Sequence, residues 1–157
     1  MNRLPKFVWK WMRFGPLQAY RRGQGARLGE LVLVLTTTGR KSGLPRQTPL
    51  QYEDIAGVIT IGSARGAEAD WYRNILANPC VELEIGQERY TATGEPVTDP
   101  LEIADILELR YRRHPRMIGM MLRADGVRVP PDRAALEAYA TRLTMVRLRD
   151  KKRVDQG

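Results

Sequence analysis

The sequence has little of what disulfide or metal-centred stabilisation needs. Cys80 is its one cysteine and His114 its one histidine, so an internal disulfide, a Cys-rich zinc site and a multi-histidine metal site are all excluded. No metal site is expected. No apolar run approaches the roughly 18 residues of a membrane span, and Pro5, Lys6 and Lys10 interrupt the stretch that a signal peptide would need. A cytoplasmic protein is expected on these grounds. Internal repeats and low-complexity tracts are missing, as are a serine elbow and a recognisable acid/base pair of carboxylates. Acidic residues are the minority charge: 26 Lys+Arg against 18 Asp+Glu leave a net charge of +8. Charge alone leaves open an anionic partner (nucleic acid, an acidic membrane surface or a phosphate-bearing cofactor) and an arginine-rich surface with no such partner.

At 157 residues the chain is long enough to bury one core unaided, and one domain is the default. Three stretches are distinguished: residues 1–22 as an N-terminal amphipathic helix, 23–150 as the domain proper and 151–157 as a tail. In the first, Leu4, Phe7, Val8 and Trp11 recur at helical spacing, with Lys6, Lys10 and Arg13 on another side. Such a helix suits either a lipid interface or docking on the domain. Gly15-Pro16 breaks or kinks it.

The apolar, β-branched run from Glu30 to Thr38 reads as a strand, followed by strands over 47–53 and 58–63 in an antiparallel meander. Asp70 is expected to cap a short helix, WYRNILA, stopped at Asn78-Pro79 because a residue before proline disfavours helical backbone. A hairpin over 81–93 follows, turning at Gly86-Gln87. Asp99-Pro100 opens a second helix with Glu102 three residues on, its apolar side running through Leu101, Ala104, Leu107 and Tyr111. Helices over 117–122 and 132–140 precede a last strand at 143–148. Cys80 is expected to be a small buried hydrophobe, and His114, next to a proline, a cap or surface residue. The pattern is that of an α+β domain of about six mostly antiparallel strands closing into a small barrel, with flanking helices.

The most specific feature is TTTGRKSGLPRQTPL, in which two glycines bracket Arg40-Lys41-Ser42 between two strands. Glycines let the backbone N–H groups approach an anion, and Arg40, Lys41 and Arg46 supply charge-assisted hydrogen bonds to phosphate or carboxylate oxygens. A solvated hairpin turn is the competing reading. The order of a Walker loop, G-x-x-x-x-G-K-[ST], is absent.

Two blocks, LVLVLTTTGRKSGLPRQTPLQY and GSARGAEADWYRNILANPCVELEIG, make the chain resemble the deazaflavin-dependent nitroreductase family, the small split β-barrel oxidoreductases that use coenzyme F-420, an 8-hydroxy-5-deazaflavin. The resemblance implies a single split β-barrel that holds the cofactor's phosphate and oligoglutamate tail in its basic turn. Thr38, Arg40, Lys41, Ser42, Pro45, Arg46 and Thr48 then become candidate cofactor contacts. Gly62, Ser63, Ala64, Arg65 and Gly66 match the segment beside the deazaflavin ring, with Ser63 the candidate catalytic hydrogen-bonding residue. Asp70 and Trp71 are further candidate contacts, and Trp71 doubles as a core anchor. Here the loop before Trp71 is shorter than in relatives. Tyr111, His114 and Met117 are the candidates for the substrate side. The implied reaction is hydride transfer from reduced F-420 to a planar acceptor such as a quinone, an enone or a nitroaromatic, in which the ring carries the chemistry and the protein orients it. Alternatives are a split-barrel reductase using FMN or FAD, or a non-catalytic cofactor-binding protein. The expected partners are thus small molecules and not nucleic acid, with peripheral membrane contact through the N-terminal helix and a homodimer as further expectations.

Overall fold

A computed structural model describes residues 32–63 and 65–155; the helix expected over residues 1–22 and the candidate Ala64 lie outside the described residues. Six strands, β1 Val32–Thr38, β2 Pro45–Ile55, β3 Val58–Ser63, β4 Cys80–Ile85, β5 Glu88–Val97 and β6 Thr144–Arg153, form a closed antiparallel barrel in the order β1-β2-β3-β6-β5-β4. A 3-10 turn, Gly66–Glu68, leads into helix α1, Asp70–Ala77. Helices α2 Pro100–Arg113, α3 Pro115–Ala124 and α4 Arg133–Ala140 lie between β5 and β6. The expected meander and the hairpin are present, and β3 has the expected bounds. β2 begins at Pro45 because a proline without an N–H is tolerated as the first residue of a strand, and it faces Thr38 across the turn.

Closure splits the apolar residues into two cores. Inside the barrel, Leu33, Leu35, Ile59, Ile61, Val81, Leu83, Val146 and Leu148 pack around Trp71, Tyr72 and Ile75 of α1, so the helix plugs one end of the barrel. Gly94 on β5 allows this close approach, since a Cβ there would lie 2.7 Å from Ile75 Cγ2. The second core lies between the outer face of the barrel, through Val97 and Met145, and the helices, through Ile103, Leu107, Ile118, Leu122 and Leu136.

Four expectations are corrected. β6 runs on to Arg153, which pairs with Tyr90 of β5, so residues 151–153 belong to the barrel wall and not to a tail. Asp70 is the first helical residue of α1 and not its cap; Ala69 holds the cap position without a side-chain hydrogen bond, and the Asp70 carboxylate faces Arg40 instead. Leu101 is exposed, because at 3.6 residues per turn it aligns with Asp105 and Glu108 on the outer side of α2, leaving Ile103, Ala104, Ile106 and Leu107 to face the core. Cys80 is exposed, since strand alternation turns Val81 and Leu83 inward and sends Cys80 and Glu82 out. Asp99 does cap α2, accepting from the Leu101 N–H at 2.9 Å, and Asp132 caps α4 through the Ala135 N–H at 2.7 Å.

Candidate functional site

The turn between β1 and β2 is held first by its own backbone. The Gly39 N–H donates to the Leu44 carbonyl and the Gly43 N–H to that of Gly39, both at 2.8 Å, and the Leu44 N–H donates to Ser42 Oγ at 3.2 Å. Gly43 has φ +71°, a conformation that costs glycine nothing. The turn is next tied to α1. The Arg40 backbone N–H and Nη1 both donate to Asn74 Oδ1, at 3.2 and 3.0 Å, and Nη2 reaches Asp70 Oδ1 at 3.2 Å. Asn74, 3% exposed, in turn donates from Nδ2 to Thr37 Oγ1 at 3.1 Å.

This arrangement divides the basic residues. Arg40 is committed to α1, whereas Lys41 and Arg46 are exposed and have no ion-pair partner among the described residues. Thr38 and Pro45 face each other at the base of the turn, Ser42 is exposed and Thr48 half-buried.

Strand register places the other candidate segment farther along the barrel wall. Thr38 of β1 pairs with Pro45 of β2 where the turn begins, whereas the pairing of Tyr52 with Ile61 puts Ser63 of β3, itself paired with Thr144 of β6, level with Leu50 of β2. Ser63 is buried and its Oγ accepts from the Arg65 N–H at 3.1 Å. Thr144 Oγ1 is a buried hydroxyl with no partner among the described residues. Gly66 opens the 3-10 turn that delivers Asp70 to Arg40. Trp71 points into the barrel core, edge-on to Tyr72 with ring centroids 6.1 Å apart. It anchors α1.

Beside the turn runs a cleft of about 810 Å³, bounded by Thr36, Thr38, Gly43, Pro45, Cys80 and Thr93 among others. Thr36 opens the segment that the sequence marked, but sequence reasoning missed Cys80 and Thr93. Strand alternation could have found Cys80, because it puts residues 80 and 82 outside once 81 and 83 are known to be inside.

Tyr111, His114 and Met117 come together, but elsewhere. They lie on the α2–α3 elbow, where Met117 Sδ accepts from Gln51 Nε2 at 3.8 Å and His114 Nε2 is 3.4 Å from Glu53 Oε1. Tyr111 packs in the second core. Glu53, unforeseen from the sequence, is buried and also meets Arg110 Nε at 3.3 Å and Arg113 Nη1 at 3.0 Å. Burial pushes the Arg110 guanidinium below its ordinary pKa, and the carboxylate of Glu53 opposes that shift. Glu53 lies seven positions along β2 from Arg46, roughly 23 Å at about 3.3 Å per residue, so this elbow and the basic turn are distinct ends of one strand. Among the described residues no cluster of His, Cys, Asp and Glu could hold a metal, and none of their helices is long and apolar enough to cross a membrane.

A closed six-stranded antiparallel barrel plugged by a helix is a fold seen in solved structures. A conserved hypothetical protein of Mycobacterium tuberculosis aligns with TM-score 0.53 and 17% identity, over 83% of each chain. An F420-H2 dependent reductase, FDR-A, aligns with TM-score 0.51 and 22% identity over 74% of this chain and 92% of its own. These likenesses establish the fold. Residues 11–117, more than half of the chain, match the family model of F420H(2)-dependent quinone reductase, and the chain belongs to that family. An F420H(2)-dependent quinone reductase of Mycobacterium tuberculosis is 35% identical over 88 residues, 50% of this chain and 59% of that protein. The chain thus spans somewhat more than half the length of such curated relatives.

Proposed function

We propose that this chain binds coenzyme F-420 and passes a hydride from its reduced form to a planar acceptor, with a quinone favoured over an enone or a nitroaromatic. The observation that carries the reading is the pinned turn, which presents the exposed cations Lys41 and Arg46 with no described ion partner. The residues fit the group: phosphate and carboxylate oxygens need unpaired cations and accessible backbone, and a charge already neutralised by a neighbour has less to offer them. When bound, the reduced deazaflavin supplies the hydride.

The chain's own residues orient and hold. Lys41, Arg46 and the exposed Ser42 hydroxyl receive the anionic tail, with Thr38, Pro45 and Thr48 forming the wall behind it. Ser63 keeps its O–H to donate, because its oxygen already accepts from the Arg65 N–H, and together with Ala64 and Gly66 it borders the ring. Arg40, Asp70 and Trp71 support the site through α1. Tyr111, His114 and Met117 are assigned to the acceptor side by the same resemblance.

Fluorescence titration with F-420 and FMN tests the cofactor, and oxidation of reduced F-420 by a quinone tests the reaction. F-420 is expected to bind more tightly; equal or tighter FMN binding would overturn the reading in favour of a flavin enzyme, the alternative that family membership disfavours.

Two finer points belong to the same proposal. The segment over 4–14, with its aromatic and basic residues, is assigned to docking on the barrel of a cytoplasmic protein as part of the cofactor pocket, with a membrane-surface contact as the alternative. Deletion of residues 1–15 should weaken cofactor binding; co-sedimentation of the full-length protein with anionic liposomes at low salt, lost on that deletion while cofactor affinity stays intact, would decide for the membrane. The assembly is proposed to be a homodimer, and a monomer mass by light scattering refutes it.

A further inference from the structure

Building on that reading of the turn, we propose that Asn74 is a positioning residue for anion binding, that Arg40 is the strut it grips, and that the bound anion's charge is met by Lys41 and Arg46. Arg40 is the first of three cations in one short segment, yet three of its hydrogen bonds run to α1. Its Asp70 partner is 82% exposed, and an exposed ion pair of that kind fixes a side chain weakly. Asn74 differs. It is buried, and both polar ends of its amide are used: the oxygen takes two N–H groups of Arg40, and the nitrogen donates to Thr37. Only the oxygen can face Arg40, because a guanidinium and a backbone N–H have nothing to accept with.

The rigidity of the frame passes to the turn through this one amide. Thr37 is 2% exposed on β1, and α1 is set in the barrel core by Trp71, Tyr72 and Ile75. Asn74 therefore ties the last inward residue of β1, the start of the turn and the plugging helix. A turn ordered before its ligand arrives does not spend binding energy on becoming ordered, and Lys41 then projects from a fixed backbone. The cation consumed as a strut is not available to the anion.

The test uses the full-length chain and F-420 fluorescence titrations over a salt series. Asn74→Leu is expected to weaken binding about tenfold, the scale of one net hydrogen bond to a charged group. Asn74→Asp keeps the acceptor oxygen toward Arg40, can accept from the Thr37 hydroxyl, and should stay near the parent. Lys41→Ala and Arg46→Ala should each flatten the salt dependence of binding, because each removes a charge that meets the anion. Arg40→Ala should weaken binding without flattening it, and combining it with Asn74→Leu should cost little more than either alone. Without cofactor, the Arg40 amide should exchange its hydrogen faster in Asn74→Leu than in the parent.

Parent-like affinity and exchange in a folded Asn74→Leu overturn the proposal. So does flattening by Arg40→Ala equal to that of Lys41→Ala, a result that also decides the matter if Asn74→Leu does not fold. If the parent fails to bind F-420, the functional reading falls while amide exchange still judges the role of Asn74.

Discussion

The two ends of β2 carry similar residues in opposite circumstances. At its start, Lys41 and Arg46 stand exposed with no described ion partner; near its far end, Arg110 and Arg113 converge on buried Glu53. The first arrangement keeps charge for a ligand at little cost, because water solvates the cations until an anion displaces it. The second uses charge to join the barrel to the helical layer, since a buried carboxylate requires partners that replace its hydration. The turn thus keeps the charge of Lys41 and Arg46 free of described ion partners while the seam pairs its own, and the abundance of arginine says little about where the site is.

Glu53→Ala tests this contrast most severely. It leaves Arg110 buried without its counter-charge and should destabilise the fold by about 3–5 kcal/mol, read from denaturant unfolding, while F-420 affinity of the folded fraction stays as in the parent. A small stability loss would show that the seam is no tighter than a surface ion pair.

Lys41→Ala and Arg46→Ala should do the reverse. Each is expected to cost about 1.5–3 kcal/mol of cofactor affinity, the range for hydrogen bonds to charged groups, with the effect shrinking at high salt and unfolding stability held within about 0.5 kcal/mol. Unchanged affinity in both variants would make the turn an ordinary hairpin connection.

His114→Ala sharpens the far end. The imidazole is partly exposed and its one charge partner among the described residues is Glu53, which two arginines already satisfy, so the loss should be under about 1 kcal/mol by thermal or chemical unfolding. A loss matching that of Glu53→Ala would move His114 into the structural core of the seam. The smallest effect is expected at Cys80. Being exposed beside the cleft, its thiol should react with an alkylating reagent in the native protein, and Cys80→Ser should alter stability by no more than about 0.5 kcal/mol. Protection until unfolding would contradict its outward position.

Local rules were enough for the elements. A strand-like run marks β3 at its observed bounds, Asp99 announces the start of α2 by its capping side chain, and the glycine-bracketed basic turn stands out between two strands. Where one residue has two local uses, those rules failed. Asp70 suits a helix cap by type, but Arg40, distant in sequence, draws its carboxylate into an ion pair. Leu101 fits an apolar helix side by spacing, but which side of α2 meets the barrel is set by the packing of α2 on α4 and the sheet.

The sequence by itself determined the strands and helices, the antiparallel hairpins and the basic character of the turn, because these follow from periodicity, caps and glycines within a few residues. Only the tertiary structure decided which cations remain unpaired. Closing the barrel around α1 brings Asn74 and Asp70 to Arg40, and folding the helices onto β2 brings Arg110 and Arg113 to Glu53. Pairing is a contact between residues roughly 30 to 60 positions apart, and no local pattern encodes it.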